Sequence, residues 1–301
     1  MSAREAGRRP RAAVLTAAGA LAAALGLVAV WVLGRGAPEE GRAAGPVLPH
    51  PDHVVVVVFE NKAFEDVLGS GEAPYLDSLA KGGATLTRSY GLTHPSQPNY
   101  VQLFSGGMQD VLDNSCYEPG FSSAPNLASE LIAAGKTWAS FNEGLPARGS
   151  TVCEAGRYAR KHNPWFAFSN VPVDTARTMD EFPEDFTTLP DVSFVVPDLC
   201  HDMHDCPVRT GDTWLKERLG AYAAWARTHD SLLVVTFDED DGLTGNRIPT
   251  VLHGGPVVPG STSDEKYHHY DVLRTLGRLA GLDRHPGQAA AAREITGVWA
   301  V

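Results

Sequence analysis

Two short stretches carry the side chains best able to do chemistry. In His94-Pro95-Ser96-Gln97-Pro98-Asn99-Tyr100 a serine sits between two prolines. Each proline fixes its own φ and disfavours helix in the residue before it, so the Ser96 hydroxyl is expected to be held in one place. In Asp238-Glu239-Asp240-Asp241 four carboxylates follow directly on the largely apolar run Leu232 to Phe237. Adjacent anions repel one another, so such a run needs either full solvation or a cation. Glu60 and Asn61 follow a second apolar run. Glu60, Asn61, Asp238 and Glu239, completed by Ser96, form a set of oxygen donors suited to Mg, Ca or Mn, or to Zn where a histidine joins. A divalent metal ion there would lower the serine pKa and polarise a phosphoryl oxygen, which is how a plain hydroxyl becomes a usable nucleophile. Taken singly, the proline stretch also reads as a surface turn whose serine bonds its own backbone, and the acidic run as a solvated loop.

The elements that must position these residues separate the two readings. His53 to Glu60, HVVVVVFE, is a continuous β-branched run of the kind buried on both faces of a largely parallel sheet. Pro74 to Ala84 reads as a short helix with a glycine stop, and ATLTRSYGL as a second strand leading into the proline loop. A helix beginning near Asn99 would put Ser96 close to a helix N-terminus, where free N–H groups and the dipole favour a phosphate. NLASELIAAG (helix), KTWASFNEG (strand), VSFVVPD (strand), Gly211 to His229 (helix), DSLLVVTF (strand) and HYDVLRTLGRLAGL (helix) continue the alternation, with a long loop region through Pro190. Alternating helices and apolar strands predict an α/β fold with a mostly parallel sheet, whose ligands collect beyond the carboxyl ends of the strands. Glu60 and Asn61, Ser96, Asp198, and Asp238 with Glu239 all fall near such ends. Their convergence carries more weight than either stretch alone.

Histidines and cysteines add a second constellation. PDLCHDMHDC holds Asp198, His201, Asp202, His204 and Asp205, while His162, His253, His268 and His269 lie in other short motifs. Clustered Asp and His beside a disulfide turn could form a second metal site, or a phosphate clamp with a general acid. The cysteines are Cys116, Cys153, Cys200 and Cys206. Of three possible pairings, the short-loop one joins Cys200 to Cys206 and leaves Cys116 with Cys153. No CxxC spacing supports zinc, no GxSxG supports a hydrolase elbow, and no GxGxxG supports a dinucleotide.

Composition sets outer bounds. With 301 residues, 43% hydrophobic and 20% charged, the chain is globular in type. Residues 1–34 differ: Arg4, Arg8, Arg9 and Arg11 precede an uncharged apolar run from Ala12 to Leu33, which reads as a signal anchor or signal peptide. The positive-inside rule sends the domain outward, so the expected location is extracytoplasmic, anchored or secreted, with membrane contact through this segment only. Residues 35–50 read as a linker, and 51–301 as the catalytic domain. The leader contributes +3 to a formal net charge of −11, so the remainder carries −14. Such a surface excludes nucleic acid as the expected partner and disfavours anionic lipid surfaces. No protein partner is implied.

The motifs VVVVVFENKAFEDVLG, APYLDSLAKGGA, HPSQPNYVQLFSGG, KHNPW, PDLCHDMHDC, GDTWL, VVTFDEDDG and YHHYDVLRTL, in this order, resemble the bacterial phosphoesterase family of secreted acid phosphatases and non-haemolytic phospholipases C. The match runs from about His53 to Leu282. That family is similar to the alkaline-phosphatase superfamily, which implies a three-layer α/β/α sandwich and a metal-assisted Ser or Thr nucleophile. The resemblance implies that Glu60, Asn61, Asp238 and Glu239 bind metal with Ser96, that Ser96 is the nucleophile, and that Asn99, His162, Asp202, His204 and His269 bind phosphate or donate the leaving-group proton. DEDDG departs from the pattern, in which histidine or glycine often follows the first carboxylates, and Asp271 stands where the family more often has serine. The activity implied is that of a phosphomonoesterase of acid phosphatase type. A phospholipase C or other phosphodiesterase, and a non-catalytic surface module of the same fold, are the alternatives.

Overall fold

The computed structural model describes residues 47–300. The leader expected over 1–34, and the expected linker up to residue 46, lie outside the described residues. Eight strands form the main sheet: His53–Phe59 (β1), Ala84–Leu86 (β2), Trp138–Asn142 (β3), Ala176–Thr178 (β4), Val192–Val196 (β5), Ser231–Phe237 (β6), Thr250–Gly254 (β7) and Ser261–Ser263 (β8). Their spatial order is β8-β2-β7-β6-β1-β5-β3-β4. Only β7 runs against its neighbours; β6, β1, β5, β3 and β4 are parallel throughout.

The valines of β1 explain its central place. Val54, Val56 and Val58 enter one apolar cluster, and Val55, Val57 and Phe59 enter another on the opposite face. A strand with no polar face must be covered on both sides. The helices Ser96–Ser105 (α2), Leu127–Ala133 (α3) and His269–Leu279 (α5) cover the first face; Pro74–Gly82 (α1) and Val208–Ala226 (α4) cover the second. The result is the three-layer α/β/α sandwich.

Several expected boundaries move. ATLTRSYGL is not one strand: it breaks after Leu86, and Ser89–Tyr90 joins a separate three-stranded sheet with Arg247–Ile248 and Tyr267–His268. This small sheet gathers the approaches to the site, because the proline loop, the acidic loop and α5 all leave from it. α4 starts at Val208, directly after Pro207, and ends before the expected His229. The long loop region contains the edge strand β4 between short 3-10 turns.

One buried carboxylate locks the second helical layer. Asp212, in the first turns of α4, accepts Leu76 N–H at 2.8 Å and Tyr75 N–H at 3.0 Å, two donors that the start of α1 leaves without helical partners. Asp212→Ala would strand both donors and is expected to lower the free energy of unfolding by about 1–3 kcal/mol in a urea titration. An unchanged midpoint would show that water replaces the carboxylate.

Candidate active site

Helix α2 begins at Ser96 itself, three residues before the expected start. Pro95 serves as the N-cap residue and Pro98 sits in the first turn, where its missing N–H has no helical partner to lose. Ser96 is buried, and its Oγ lies 2.9 Å from Glu60 Oε2 and 3.0 Å from Glu239 Oε1. One hydroxyl proton cannot serve both carboxylates. The N-terminal N–H groups are less free than expected, since Gln97 N–H donates to Asn114 Oδ1 at 2.9 Å.

The carboxylates come from the carboxyl ends of β1 and β6, which are neighbours in the sheet. Asp238 N–H donates to Phe59 O at 3.0 Å and Asn61 N–H to Asp238 Oδ1 at 3.2 Å, so the two chain segments stay paired beyond the strands. Asn61 takes a left-handed φ of 49°, which turns the chain out of β1 just after Glu60. Gly91 allows the proline loop to pass alongside, because a Cβ there would lie 2.7 Å from the Asp238 carbonyl oxygen.

Burial, then Glu60 and Glu239, push the Asp238 carboxyl well above the usual carboxylate range. Burial also raises Glu239, against the pull of Ser96 and His94. Asn61 Oδ1 and Asp238 Oδ2 are buried without a hydrogen-bond partner. Buried acceptor oxygens with too few protons to share are what a divalent cation satisfies, so the donor types of Glu60, Asn61, Asp238, Glu239 and Ser96 suit such an ion, while among the described residues the carboxylate and histidine atoms that lie within 4.8 Å of one another as a group of three are those of Glu143, Asp198 and His201.

A buried positive charge beside Glu60 comes from His162, whose Nε2 lies 2.9 Å from Glu60 Oε1 and Nδ1 3.2 Å from Asp202 Oδ2. Burial would lower this imidazole, but Glu60 and Asp202 override it and raise the pKa to about 9. In return, burial would raise Glu60, yet the charge of His162 holds it at about 2. Tyr100 stacks under the imidazole with ring centroids 5.0 Å apart, a partner in the proline heptapeptide that sequence reading did not single out.

The remaining expected residues divide. His204 is half-buried, 6.5 Å from His162 between ring centroids, with Nδ1 2.7 Å from Asp205 Oδ1. His269 is different: its Nε2–H donates to the Asp238 carbonyl at 2.6 Å, and burial lowers its pKa to about 4. A group held neutral in this way braces Asp238 rather than delivering protons near neutrality. Asn99 has its carboxamide committed, accepting from Leu92 and Thr93 N–H and donating to Thr93 O and Glu239 Oε2 at 3.2 Å. It therefore fixes the serine loop, where substrate binding was expected. His94, 45% exposed, was overlooked although it stands two residues before Ser96; its Nδ1 lies 2.7 Å from Glu239 Oε2.

Both departures from the family pattern have structural uses. Asp240 accepts from Gly242, Thr244 and Asn246 and so closes the acidic loop, while Glu239 faces Ser96 and Asp238 faces the Asn61 N–H. Asp271 accepts His268 N–H at the start of α5 and Arg293 N–H at 2.8 Å, tying the C-terminal segment to that helix.

The Asp and His cluster of PDLCHDMHDC does not act as one group. Asp202 turns to His162, whereas Asp198 and His201 gather with Glu143, one donor atom of each lying within 4.8 Å of the others. Glu143 Oε2 already accepts Asp198 N–H, and Oε1 accepts Trp214 Nε1–H. The disulfides are Cys116–Cys153 and Cys200–Cys206, and the second closes the turn that carries Asp202 and His204.

Comparison with known proteins places this geometry. Residues 70–283 match the model of the phosphoesterase family. The chain is 47% identical over 287 residues to a phosphatidylinositol-3-phosphatase of Mycobacterium tuberculosis, covering 95% of this chain and 93% of that protein. It is 31% identical to a probable acid phosphatase of Kluyveromyces lactis, covering 78% of this chain, and spans only 60% of that protein's length. Among solved structures, a protein in the alkaline phosphatase superfamily from Vibrio parahaemolyticus superposes with a TM-score of 0.57 at 15% identity, covering 83% of this chain and 71% of that one. This last likeness concerns the fold alone.

The neutral state of His269 has a measurable cost in acid. Its folded pKa of about 4 lies below its ordinary 6.5, so the stability it contributes is complete above pH 6.5 and is lost as the pH falls towards 4. His269→Gln, which keeps an N–H donor but does not titrate, is expected to flatten the decline of unfolding free energy between those limits. Equal slopes in both proteins would mean that His269 charges freely in the folded state.

Proposed function

The chain belongs to the phosphoesterase family, and from that premise we propose that it hydrolyses phosphate monoesters at the Ser96 cluster, with Ser96 as nucleophile and a divalent cation as cofactor. The observation that carries this reading is the Ser96 hydroxyl, buried at the first turn of α2 and within 3.0 Å of carboxylates from two different strand ends. Glu60, Asn61, Asp238 and Glu239 would hold the ion, whose bound charge supplies Lewis acidity at the phosphoryl group.

The chain's own residues account for the rest. Ser96 Oγ attacks phosphorus opposite the ester oxygen, the ester P–O bond breaks, and Glu239, 3.0 Å away, receives the serine proton. His204 donates a proton to the departing alkoxide. Water then attacks the phosphoserine and gives its proton to His204, the bond from phosphorus to Ser96 Oγ breaks, and Ser96 takes back the proton held by Glu239. His162, held as an imidazolium, supplies positive charge beside the phosphate through both steps.

A phosphorylated lipid headgroup is the favoured substrate class, supported by the 47% identity to a phosphatidylinositol-3-phosphatase across nearly the full length of both chains. The two disulfides support an extracytoplasmic location, anchored or secreted.

Matched aryl phosphate mono- and diesters, assayed before and after chelation and with Mg, Ca, Mn or Zn restored, test the reading directly. Monoester turnover that chelation abolishes and one of the metals restores is expected, with Ser96→Ala losing at least about 10³-fold in kcat. Full activity in Ser96→Ala, turnover indifferent to chelation, or a preference for the diester would overturn it. For His204→Gln, an alkyl phosphate should lose about 100-fold in kcat while an aryl phosphate, whose leaving group needs little protonation, loses far less. Equal losses would remove His204 from the role of proton donor.

A further inference from the structure

Ser96 and Tyr100 stand four residues apart on α2, so their side chains lie one above the other on the same face of that helix. Ser96 Oγ lies 2.9 Å from Glu60 Oε2, and Glu60 Oε1 lies 2.9 Å from His162 Nε2. The His162 ring stacks on Tyr100 with centroids 5.0 Å apart and planes 15° from parallel. These contacts close a circuit that runs from the nucleophile through Glu60 and the imidazole, and returns through one turn of the nucleophile's own helix. All four side chains are buried.

The two carboxylates beside His162 hold its position better than its orientation. Nε2 to Glu60 Oε1 and Nδ1 to Asp202 Oδ2 are ion-pair distances, yet His162 Nε2, Glu60 Oε1 and Asp202 Oδ2 have no partner in hydrogen-bond geometry. Attraction between charges depends on distance and does not fix an angle, whereas a hydrogen bond does. The orientation therefore falls to contacts on the ring faces. Tyr100 supplies the close, near-parallel one; His204 approaches at 6.5 Å with planes 42° apart and is the looser. The Tyr100 hydroxyl is itself buried without a hydrogen-bond partner, so the hold that this residue exerts lies in its ring.

We propose that Tyr100 is a positioning residue, whose ring fixes the orientation of the His162 imidazole relative to Ser96. The helix that presents the nucleophile thereby also aligns the imidazole that faces the phosphate. The assignment rests on the role given to His162 in the reaction proposed above, and adds the residue through which α2 controls it.

The test compares the full-length enzyme with Tyr100→Phe, which keeps the ring, and Tyr100→Leu, which removes it. On an aryl phosphate monoester with the activating metal, Tyr100→Leu should lower kcat by about 10–100-fold, the scale of loss that a small misplacement causes, while Tyr100→Phe stays within about threefold of wild type. The same change made in His162→Gln separates positioning from folding. There Tyr100→Leu should cost less than about twofold, whereas a loss of folded protein would cost the same factor in both backgrounds. Crystal structures of the metal-free wild-type and Tyr100→Leu proteins read the imidazole orientation without turnover, and a ring turned by at least about 30° is expected in the variant. Tyr100→Phe as impaired as Tyr100→Leu, losses that multiply in the double variant, or an imidazole unmoved in Tyr100→Leu would each overturn the assignment. If the wild type hydrolyses no monoester with any of the four metals, the monoesterase reading fails by itself, and the imidazole orientation alone decides the role of Tyr100.

Discussion

The structure turns on a charge problem. Glu60 and Glu239 are brought together at one serine hydroxyl with Asp238 close enough to feel both charges, in a region where burial makes each negative charge costly. His162 resolves part of it by standing between Glu60 and Asp202 as a buried cation. What remains, two raised carboxyls and the unpartnered oxygens of Asn61 and Asp238, is the residue of demand that a divalent ion would meet.

Much of the fold can be understood as the means of holding those groups at close range. β1 and β6 are adjacent parallel strands, so Glu60 and Asp238, each following its strand, leave the sheet side by side. The hydrogen bonds from Asp238 to Phe59 and from Asn61 to Asp238 prevent the two ends from spreading under mutual repulsion. On the opposite flank, Asn99 spends its whole carboxamide on the serine loop and on Glu239. His269 supports the Asp238 backbone from α5, and Asp271 fixes the start of that helix. A mutation in any of these braces would therefore reach the serine without touching it.

The site is consequently rigid on its phosphate side, and under the proposed reaction its selectivity must come from what surrounds the leaving group. Two clefts among the described residues differ in character. Towards β3 and β5, the cavity that contains Glu143, His201 and Trp214 is polar and carries both signs of charge. Past Gln97, the cleft of Leu112 and Phe121 combines these apolar side chains with the carboxylates of Asp110, Asp113 and Glu118.

The class of fold and the main chemical set were legible in the sequence because both follow from local pattern. A β-branched run without alternation implies a strand buried on two faces, and a carboxylate at its end implies a place in the crevice of a parallel sheet. Ser96, Glu60, Asp238 and Glu239 were identifiable on those grounds, and the structure brings Ser96 within hydrogen-bonding reach of Glu60 and Glu239, with Asp238 held beside them through the Asn61 N–H. Roles that depend on long-range partners were not legible. Nothing in YHHYD indicates that His269 faces a carbonyl and is kept neutral, that Asp271 bonds a segment 22 residues further along, or that Tyr100 lies beneath His162. Likewise, neighbours in PDLCHDMHDC point to different places, because a tight turn sends adjacent side chains in different directions. The residue types and strand-end positions were determined by the sequence alone. Which of them would be charged, neutral, braced or exposed was decided by the tertiary structure, since protonation and accessibility depend on distances between groups far apart in the chain.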